Sequence, residues 1–421
     1  MSRRVAYAAI AATCAAPRLV ILLHERASIT TSFTEKSDTI ARMFVDHGTF
    51  GFVPGAPSAY TQPLYAWFLI PIYWVAGANW WSVGPAQIVV AVVTAWLVYE
   101  IGARVVSPRA GIVAAAIATL NPYLVWHDVH VNREILDQVV AAGLVLLTLL
   151  VVERFTVPRA AGLGVVSGIS MLGNSRLVLV PVLCAAYVAW RLPRPQAAAV
   201  AAALVLGGAA VAVLPWLVRN EVSVGCFTLT TDGRAMWKAN NPRTYGLLSS
   251  GQWIDNVGRH PPRPPYPGRL TPEEANGIWL RTGKRLHPDE CLQMSFYQDL
   301  ALDYWRDHPG GKARLAALSA KLLWQPTVLE TSDRPGGGGN LDVGRRVIEP
   351  GYMIALYALA LVGAFVAPPA FTLLAALLLA YQTAAALVFV GATRYRVAWD
   401  FLLAVLAAAA LERAWTRLRA R

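Results

Sequence analysis

Two carboxylates near the N-terminus could do chemistry at a membrane surface. Glu35 and Asp38 lie in the polar stretch 25–65, at the start of a short amphipathic segment that follows the first apolar run. A carboxylate in such a place can accept a proton from an attacking hydroxyl or amine, which is general-base catalysis. Asp38 also suits the first turn of the helix predicted from about Ser37, where it would stabilise exposed N–H groups. Both roles stay open for Asp38.

Polar residues that could bind a substrate or neutralise a phosphate leaving group recur at predicted outer ends of the apolar runs. They are Arg219, Lys238, Asn241, Arg394, Arg396, His127, Asp128, Arg133 and Tyr65. Each has a structural alternative. An arginine there could be an interfacial anchor that extends its charge to the headgroups, and Asn241, which precedes Pro242, could simply form a turn.

The sequence shows no nucleotide-binding or serine-hydrolase motif. His127, Asp128 and His130 could bind a divalent metal, but a metal site needs three or four ligands in the right geometry, and a His-x-x-His turn is weak evidence. We therefore predict that no cofactor is required. Cys226 and Cys291 both fall in the long polar region predicted outside the membrane, where a disulfide and two free thiols are both compatible with the sequence.

The composition excludes a soluble protein. The 421 residues are 56% hydrophobic and only 15% charged, with a mean hydropathy of +0.44, which is typical of a polytopic membrane protein. The net charge of +12 could suggest nucleic acid as a partner. The basic residues sit instead in short clusters between apolar runs, where they set the orientation in the membrane, so we predict membrane lipid and no nucleic acid.

A hydrocarbon core needs about 20 apolar residues for each span, and cytoplasmic loops collect Lys and Arg. The segment 63–77 is short and aromatic, so we predict an outer juxtamembrane or re-entrant helix there. With that choice every strongly basic short loop lies on one side, and both termini are cytoplasmic. The ten predicted spans are about 5–24, 81–105, 110–126, 134–152, 160–172, 177–190, 196–217, 352–366, 371–390 and 397–411.

Three parts follow from this map. Residues 1–217 form a transmembrane module with a first outer loop, 25–80, that would carry the catalytic residues. Residues 218–349 form an extracytoplasmic region, with a strand-like run at 226–231 and helix from about 271 to 324. A glycine-rich run at 334–340 would be a mobile loop or a linker. Residues 350–421 add C-terminal helices and a basic tail.

The order of several motifs is similar to that of one known family. The segments are EKSDTIARMFVDHGTFG at 35–51, SAYTQPLYAWFLIPIYWVAG at 58–77, PWLVRNEVSVGCFTLTTDGRAMWKANNP at 215–242, YWRDHPGGKARLAALSAKLLW at 304–324 and RYRVAWDFLLAVL at 394–406. In this order they resemble the polytopic GT-C glycosyltransferases of the protein O-mannosyltransferase and lipid A aminoarabinose transferase type. The chain departs from the family pattern at Gln62, where a basic residue or histidine is usual, and at Ala239, which replaces a glycine.

The resemblance implies a GT-C-like α-helical membrane fold with outer juxtamembrane helices and a small extracytoplasmic α/β region. It also implies transfer of a sugar from a polyprenyl-phosphate donor to a protein, lipid or glycan acceptor on the extracytoplasmic face. Glu35, or Asp38 in its place, would be the base, and Arg219, Lys238, Arg394 and Arg396 would hold the polyprenyl phosphate. An Ala-, Val- and Arg-rich composition suggests a GC-rich bacterial genome, and we predict a multi-pass protein of the bacterial inner (cytoplasmic) membrane.

Two other classes remain open. A lipid or glycolipid flippase or transporter would use the same helices around an outer-facing charged cavity, and it predicts ionisable residues near mid-membrane and two related halves. We expect span interiors almost free of charge and see no repeat, which favours the transferase. A non-catalytic membrane scaffold would only present the outer region.

Overall fold

The computed structural model describes residues 2–31, 35–259, 262–265, 269–326 and 347–420. The glycine-rich run at 334–340 therefore lies outside the described residues. The first ten helices are α1 Arg3–His24, α2 Lys36–His47, α3 Leu64–Ala76, α4 Trp80–Val105, α5 Pro108–Thr119, α6 Pro122–His127, α7 Glu134–Glu153, α8 Val157–Gly173, α9 Val180–Arg191 and α10 Pro195–Val224.

The remaining helices form an outer region and a C-terminal group. The outer helices are α11 Gly233–Ala239, α12 Thr244–Ser249, α13 Pro272–Thr282, α14 Glu290–Asp307 and α15 Pro309–Trp324. The C-terminal helices are α16 Glu349–Ala364, α17 Pro369–Val388, α18 Thr393–Arg396 and α19 Asp400–Arg419. Short 3₁₀ helices cover Ser175–Leu177, Ile254–Arg259 and Val397–Trp399.

Among the residues that the structure describes, five helices are long and apolar enough to cross a membrane, namely α1, α4, α7, α10 and α17. Helices α3, α5, α8 and α16 are shorter apolar helices. The expectation of a polytopic helical protein is therefore confirmed, whereas the count of ten full spans stays a prediction. The expected span at 110–126 is divided, because Asn121 and Pro122 end α5 and begin α6. Helix α3 has 13 residues, about 20 Å of helix, which is too short for a hydrocarbon core of about 30 Å.

Close helix packing forms the largest apolar core, to which α4, α5, α7 to α10, α16, α17 and α19 contribute. Small residues permit a close approach between α8 and α10. A Cβ at Gly164 would lie 2.5 Å from the carbonyl oxygen of Val205, and one at Gly168 would lie 2.6 Å from that of Ala209. Helix α19 is buried from Asp400 to Ala410, so it forms a central member of the bundle.

Two expectations from the sequence are wrong. The run 226–231 is not a strand, and the outer region is helical in the part of the chain that the structure describes. The strands of that part, β1 Gly51–Val53 and β2 Ala56–Pro57, form an antiparallel pair in the first outer loop instead. Arg18 of α1 and Glu100 of α4 are charged residues of the apolar helices, and both are buried.

Candidate active site

The two candidate carboxylates of the first outer loop face different neighbours. Glu35 precedes α2 in an extended conformation, and its carboxylate accepts a hydrogen bond from Nη2 of Arg394 at 2.5 Å. Asp38 lies in the first turn of α2. Its carboxylate accepts from the hydroxyl of Tyr73 on α3 at 2.5 Å and from Nε of Arg42 at 2.9 Å. Asp38 therefore joins α2 to α3, and of these two carboxylates only that of Glu35 contacts Arg394.

Arg394 joins three distant parts of the chain. It lies in the short helix α18, and its Nε donates to Oε1 of Glu134, the first residue of α7, at 2.7 Å. Its side chain is 14% exposed and that of Glu35 is 17% exposed, whereas Glu134 is buried. The guanidinium thus bridges two carboxylates, one of which water can reach.

Two more arginines lie beside this bridge. Arg133, just before α7, donates through Nη1 to Oε1 of Gln62 at 2.9 Å, and Gln62 donates through Nε2 to the hydroxyl of Ser175 at 2.9 Å. Arg176 stacks on the ring of Tyr395, with its guanidinium carbon 3.5 Å from the ring centroid. We call Glu35, Arg133, Glu134, Arg176 and Arg394 the Glu35 cluster.

The electrostatics of the cluster favour ionised side chains. Burial opposes ionisation of Glu35, but the charges of Arg394 and Arg133 outweigh it and hold the pKa of this carboxyl below its ordinary value. Burial also opposes the charge of Arg394, yet Glu134 and Glu35 raise the pKa of that guanidinium well above its usual value. For Arg176, burial lowers the pKa. The cluster therefore concentrates three positive charges against its carboxylates.

Several polar atoms of the cluster lack protein partners. Three buried side-chain atoms have no hydrogen-bond partner in the described residues. They are Nε of Arg133, Oε2 of Glu134 and Oγ1 of Thr393, the residue before Arg394. Buried polar groups in folded proteins are nearly always hydrogen-bonded. Their arrangement therefore leaves donor and acceptor capacity for a small polar or anionic group beside Glu35 and Arg394.

Two of the arginines expected to bind phosphate hold other parts of the protein. Arg219 donates to the backbone oxygens of Ser58 at 2.8 Å and Phe50 at 3.1 Å, so it fixes the first outer loop. Arg396 is 1% exposed and pairs with Asp400 at 2.9 Å. These internal contacts do not support a phosphate-binding role for either residue, because their guanidinium donors are directed at protein oxygens.

Other expected substrate contacts are also engaged internally. Lys238 pairs with Asp255 at 2.7 Å. Asn241 accepts from the backbone N–H of Arg243 at 2.9 Å and donates to the carbonyl of Trp237 at 2.9 Å, which is the turn that the sequence left open. Tyr65 is buried, and its hydroxyl bonds to Oε1 of Gln87 at 2.5 Å. Lys238 lies near the cluster, since Arg394 and Lys36 also act on Asp255, and Tyr65 does too, since the charge of Glu35 acts on its hydroxyl.

The turn between α6 and α7 divides into structural and site residues. Asp128 forms a buried ion pair with Arg18 at 2.7 Å and accepts from Gln138 at 2.8 Å. His127 is stacked on the ring of Tyr123 and bonds through Nδ1 to Asn132 at 3.0 Å. Arg133 alone reaches the cluster. In the ranges that the structure describes, no three His, Cys, Asp or Glu side chains are grouped to hold a metal ion.

The structure joins Cys226 and Cys291 in a disulfide, with their Cα atoms 6.0 Å apart. It connects the end of α10 to the start of α14. The neighbouring carboxylate of Glu290 accepts from the hydroxyl of Thr231 at 2.6 Å and from the backbone N–H of Ala59 at 3.0 Å. The start of α14 thus holds the first outer loop in place through Ala59.

Sequence reasoning missed Glu134 and Arg176 as cluster residues. Glu134 is adjacent to Arg133 and begins a long apolar helix, and a carboxylate at such a helix start is a usable signal, although helix stabilisation explains it equally well. Arg176 follows the polar GNS turn at the outer end of α8. Neither could be paired with Arg394 from the sequence, since 260 positions separate Glu134 from Arg394.

Comparisons with known proteins agree with this architecture. Residues 57–218 match the family model described as dolichyl-phosphate-mannose-protein mannosyltransferase. No curated protein matches the sequence significantly. Among solved structures, the chain is similar to the archaeal oligosaccharyltransferase AglB from Archaeoglobus fulgidus, with 14% identity and a TM-score of 0.53. That structure is a complex with an inhibitory peptide and a dolichol-phosphate. The match covers 98% of this chain and 50% of that one.

The apo form of the Archaeoglobus fulgidus oligosaccharyltransferase matches with a TM-score of 0.52 and 12% identity, over 98% of this chain and 51% of that one. The ArnT structure from Cupriavidus metallidurans, bound to undecaprenyl phosphate, is 14% identical over 96% of this chain and 77% of that one, but its TM-score of 0.42 is too low to support an argument. The chain spans about half the length of the oligosaccharyltransferases that it matches, and it has the GT-C fold.

Proposed function

We propose that this GT-C-fold protein transfers a sugar from a polyprenyl-phosphate-linked donor to an acceptor on the extracytoplasmic face of the membrane. The contact between Glu35 and Arg394, beside Arg133 and Arg176, carries the proposal. It supplies one accessible proton acceptor and three guanidinium groups at the outer ends of the helices. The mannosyltransferase family match over residues 57–218 supports the same reaction class.

In the proposed reaction, the acceptor hydroxyl or amine forms a bond to the anomeric carbon of the donor sugar. The bond from that carbon to the phosphate oxygen breaks, and its electron pair leaves with the polyprenyl phosphate. Glu35 takes the proton of the acceptor, and Arg133, Arg176 and Arg394 stabilise the charge on the departing phosphate. No redox step or activated cofactor is needed, so we propose that none is required.

Because Arg394 bonds to Glu35, the basicity of the Glu35 carboxylate should depend on whether the donor is bound. A guanidinium bonded to Glu35 keeps the carboxylate ionised and also makes it a weaker base. A donor phosphate in the cluster competes for the same guanidinium donors. As Arg394 turns to the phosphate, Glu35 loses a hydrogen bond and becomes a stronger base when the donor is in place.

The arrangement in the membrane is part of the proposal. The cluster would face the extracytoplasmic side of a bacterial cytoplasmic membrane, with both termini in the cytoplasm. The basic C-terminal end of α19, with Arg413, Arg417 and Arg419, supports this orientation through the excess of Lys and Arg in cytoplasmic segments. The lipid part of the donor would remain in the membrane while its sugar lies at the outer surface.

The buried ion pair between Arg18 and Asp128 does not support the transporter alternative. A transporter needs ionisable groups that line a path across the membrane, whereas Arg18 and Asp128 are each 1% exposed and bonded to each other. We therefore favour transfer over lipid translocation.

The experiment follows release of polyprenyl phosphate from a radiolabelled polyprenyl-phosphate sugar pool in membranes with and without the protein. We expect release, together with labelled acceptor, only when the protein is present, and we expect none with Glu35→Gln. Glu221→Gln, at the exposed outer end of α10, is the matched control and should keep activity. Movement of intact labelled donor across the bilayer without release would instead establish a flippase.

A further inference from the structure

The outer region contains a charged cleft next to the first outer loop. Its volume is about 580 Å³, within the range that binds small ligands. Its charged lining residues are Arg234, Arg263, Arg281, Glu273 and Glu274. Five of its nine lining residues are charged and the cleft is open to water, so a hydrophilic ligand suits it better than the lipid part of a donor.

The cleft is connected to Glu35 through the next residue in the chain. Lys36 pairs with Asp232 at 2.7 Å and lies 4.3 Å from the centroid of the Tyr60 ring. Asp232 caps α11, whose second residue, Arg234, lines the cleft. Burial raises the pKa of Tyr60, and the charges of Asp232 and of Glu273 in the cleft raise it further. Lys36 therefore lies within electrostatic reach of both Glu35 in the cluster and Glu273 in the cleft.

The charges of the cleft do not balance within the protein. Glu274 is committed to its own helix, because its Oε2 accepts from the backbone N–H of Thr271 at 2.9 Å in a capping box at the start of α13. Arg263 and Arg281 form no ion pair with any residue that the structure describes. Two guanidinium groups thus remain available to an anion, and Glu273 can accept a hydrogen bond from a hydroxyl.

We propose that this cleft binds the acceptor, and that the acceptor is an acidic saccharide. Its carboxylate or phosphate group would bind to Arg263 and Arg281, because guanidinium forms paired hydrogen bonds with either anion. Glu273 would accept from a sugar hydroxyl, and the reacting group would extend past Lys36 to Glu35. This inference rests on the proposed function, with the donor entering from the membrane and the acceptor from the water.

Binding is measured by isothermal titration calorimetry on the full-length protein in nanodiscs. The probes are trigalacturonic acid, glucose 6-phosphate, neutral maltotriose and a pentaglutamate peptide. We expect one of the two acidic sugars to bind at least about tenfold more tightly than maltotriose, and the sugar that does so identifies the anion as a carboxylate or a phosphate. Arg263→Gln/Arg281→Gln should remove this preference, and Arg281→Lys with Arg263 intact should retain part of it.

Arg314→Gln is the matched control, since Arg314 is exposed on α15 outside the cleft, and it should bind the probes as the wild type does. Equal binding of acidic and neutral sugars, an unchanged preference in the double variant, or tighter binding of pentaglutamate than of either acidic sugar would overturn the inference. Glu35→Gln should still bind the acidic sugar. Loss of transfer in Glu35→Gln without any probe binding would reject the cleft alone, whereas transfer by Glu35→Gln would reject the proposed base and leave the cleft's binding intact.

Discussion

Two of the ion pairs that connect distant parts of this protein differ in what surrounds them. Arg18 and Asp128 are each 1% exposed, and Arg18 also donates to the carbonyls of Cys14 at 3.0 Å and Thr119 at 2.9 Å. Glu35 and Arg394 are 17% and 14% exposed, beside atoms that lack partners. The first pair is completed by the protein. The second pair lies beside unused hydrogen-bond donors and acceptors that a ligand can occupy.

The difference separates stability from function. A buried ion pair whose other groups are hydrogen-bonded mainly specifies one arrangement of the helices, and loss of one partner is costly because the other charge stays buried. A partly exposed pair with unused donors can exchange its partners for a ligand. Charge at the membrane is therefore a poor indicator of the active site in this fold, and unsatisfied bonding capacity is a better one.

Removal of Arg18 should give the largest effect on stability. We expect Arg18→Met to lower the free energy of unfolding by about 3–5 kcal/mol, because Asp128 would remain buried and unpaired. Arg18→Met/Asp128→Leu should recover much of the loss. Thermal unfolding of the purified protein in detergent measures both variants. A single variant as stable as the wild type would mean that the pair does not hold α1 in place.

Removal of Arg394 should act on transfer instead of folding. We expect Arg394→Gln to lower kcat/KM for transfer roughly 10²–10³-fold, the usual cost of losing one group that stabilises charge in a transition state. Arg413→Gln, on the exposed part of α19, is the control for the same change of charge. An Arg394→Gln protein that unfolds like Arg18→Met would place the Glu35 cluster with the structural pairs.

The pH dependence should follow Glu35. Its pKa lies below the ordinary 4.5, so the catalytic carboxylate stays ionised as the pH falls to that value, and the acid limb of kcat/KM should lie lower still. Without Arg394 the pKa should rise and the acid limb should move to higher pH. The lowered pKa of Glu35 also contributes to the stability of the folded protein. This contribution is present at pH values above 4.5 and is lost as the pH falls through the lowered pKa of Glu35. An acid limb that stays in place in Arg394→Gln would exclude Glu35 as the titrating base.

Arg176 should make a smaller contribution. Its guanidinium is held by stacking on Tyr395 and by a hydrogen bond to the carbonyl of Val390 at 3.3 Å, and it has no carboxylate partner in the described ranges. We expect Arg176→Gln to raise KM for the donor roughly tenfold, with a smaller change in kcat, about what one lost charged hydrogen bond costs. Initial rates at varied donor concentration separate the two constants. A large fall in kcat with KM unchanged would assign Arg176 to the transition state instead.

The sequence predicted the class of fold, because apolar runs and basic loops are local signals. The polar start of α2 is also a local signal, and it made Glu35 a candidate base. The sequence could not assign the arginines. Arg219, Arg394 and Arg396 all lie at helix ends, and only tertiary contacts determine that Arg394 meets Glu35 while Arg219 binds loop carbonyls and Arg396 pairs with Asp400. The run 226–231 has strand-forming residues but no neighbouring strand, and strand propensity depends on such a partner.

The central claim is that Glu35, and not Asp38, accepts the proton. Transfer from a labelled polyprenyl-phosphate sugar should be measured with Glu35→Gln and Asp38→Asn at equal amounts of folded protein. A general base contributes roughly 10²–10⁴ in rate, so we predict a loss of that size in Glu35→Gln. Asp38→Asn should lose no more than about tenfold, because Asn keeps a side-chain oxygen that can accept the hydrogen bond from Tyr73. Near-normal transfer by Glu35→Gln would contradict the claim, and with an inactive Asp38→Asn it would move the base to Asp38.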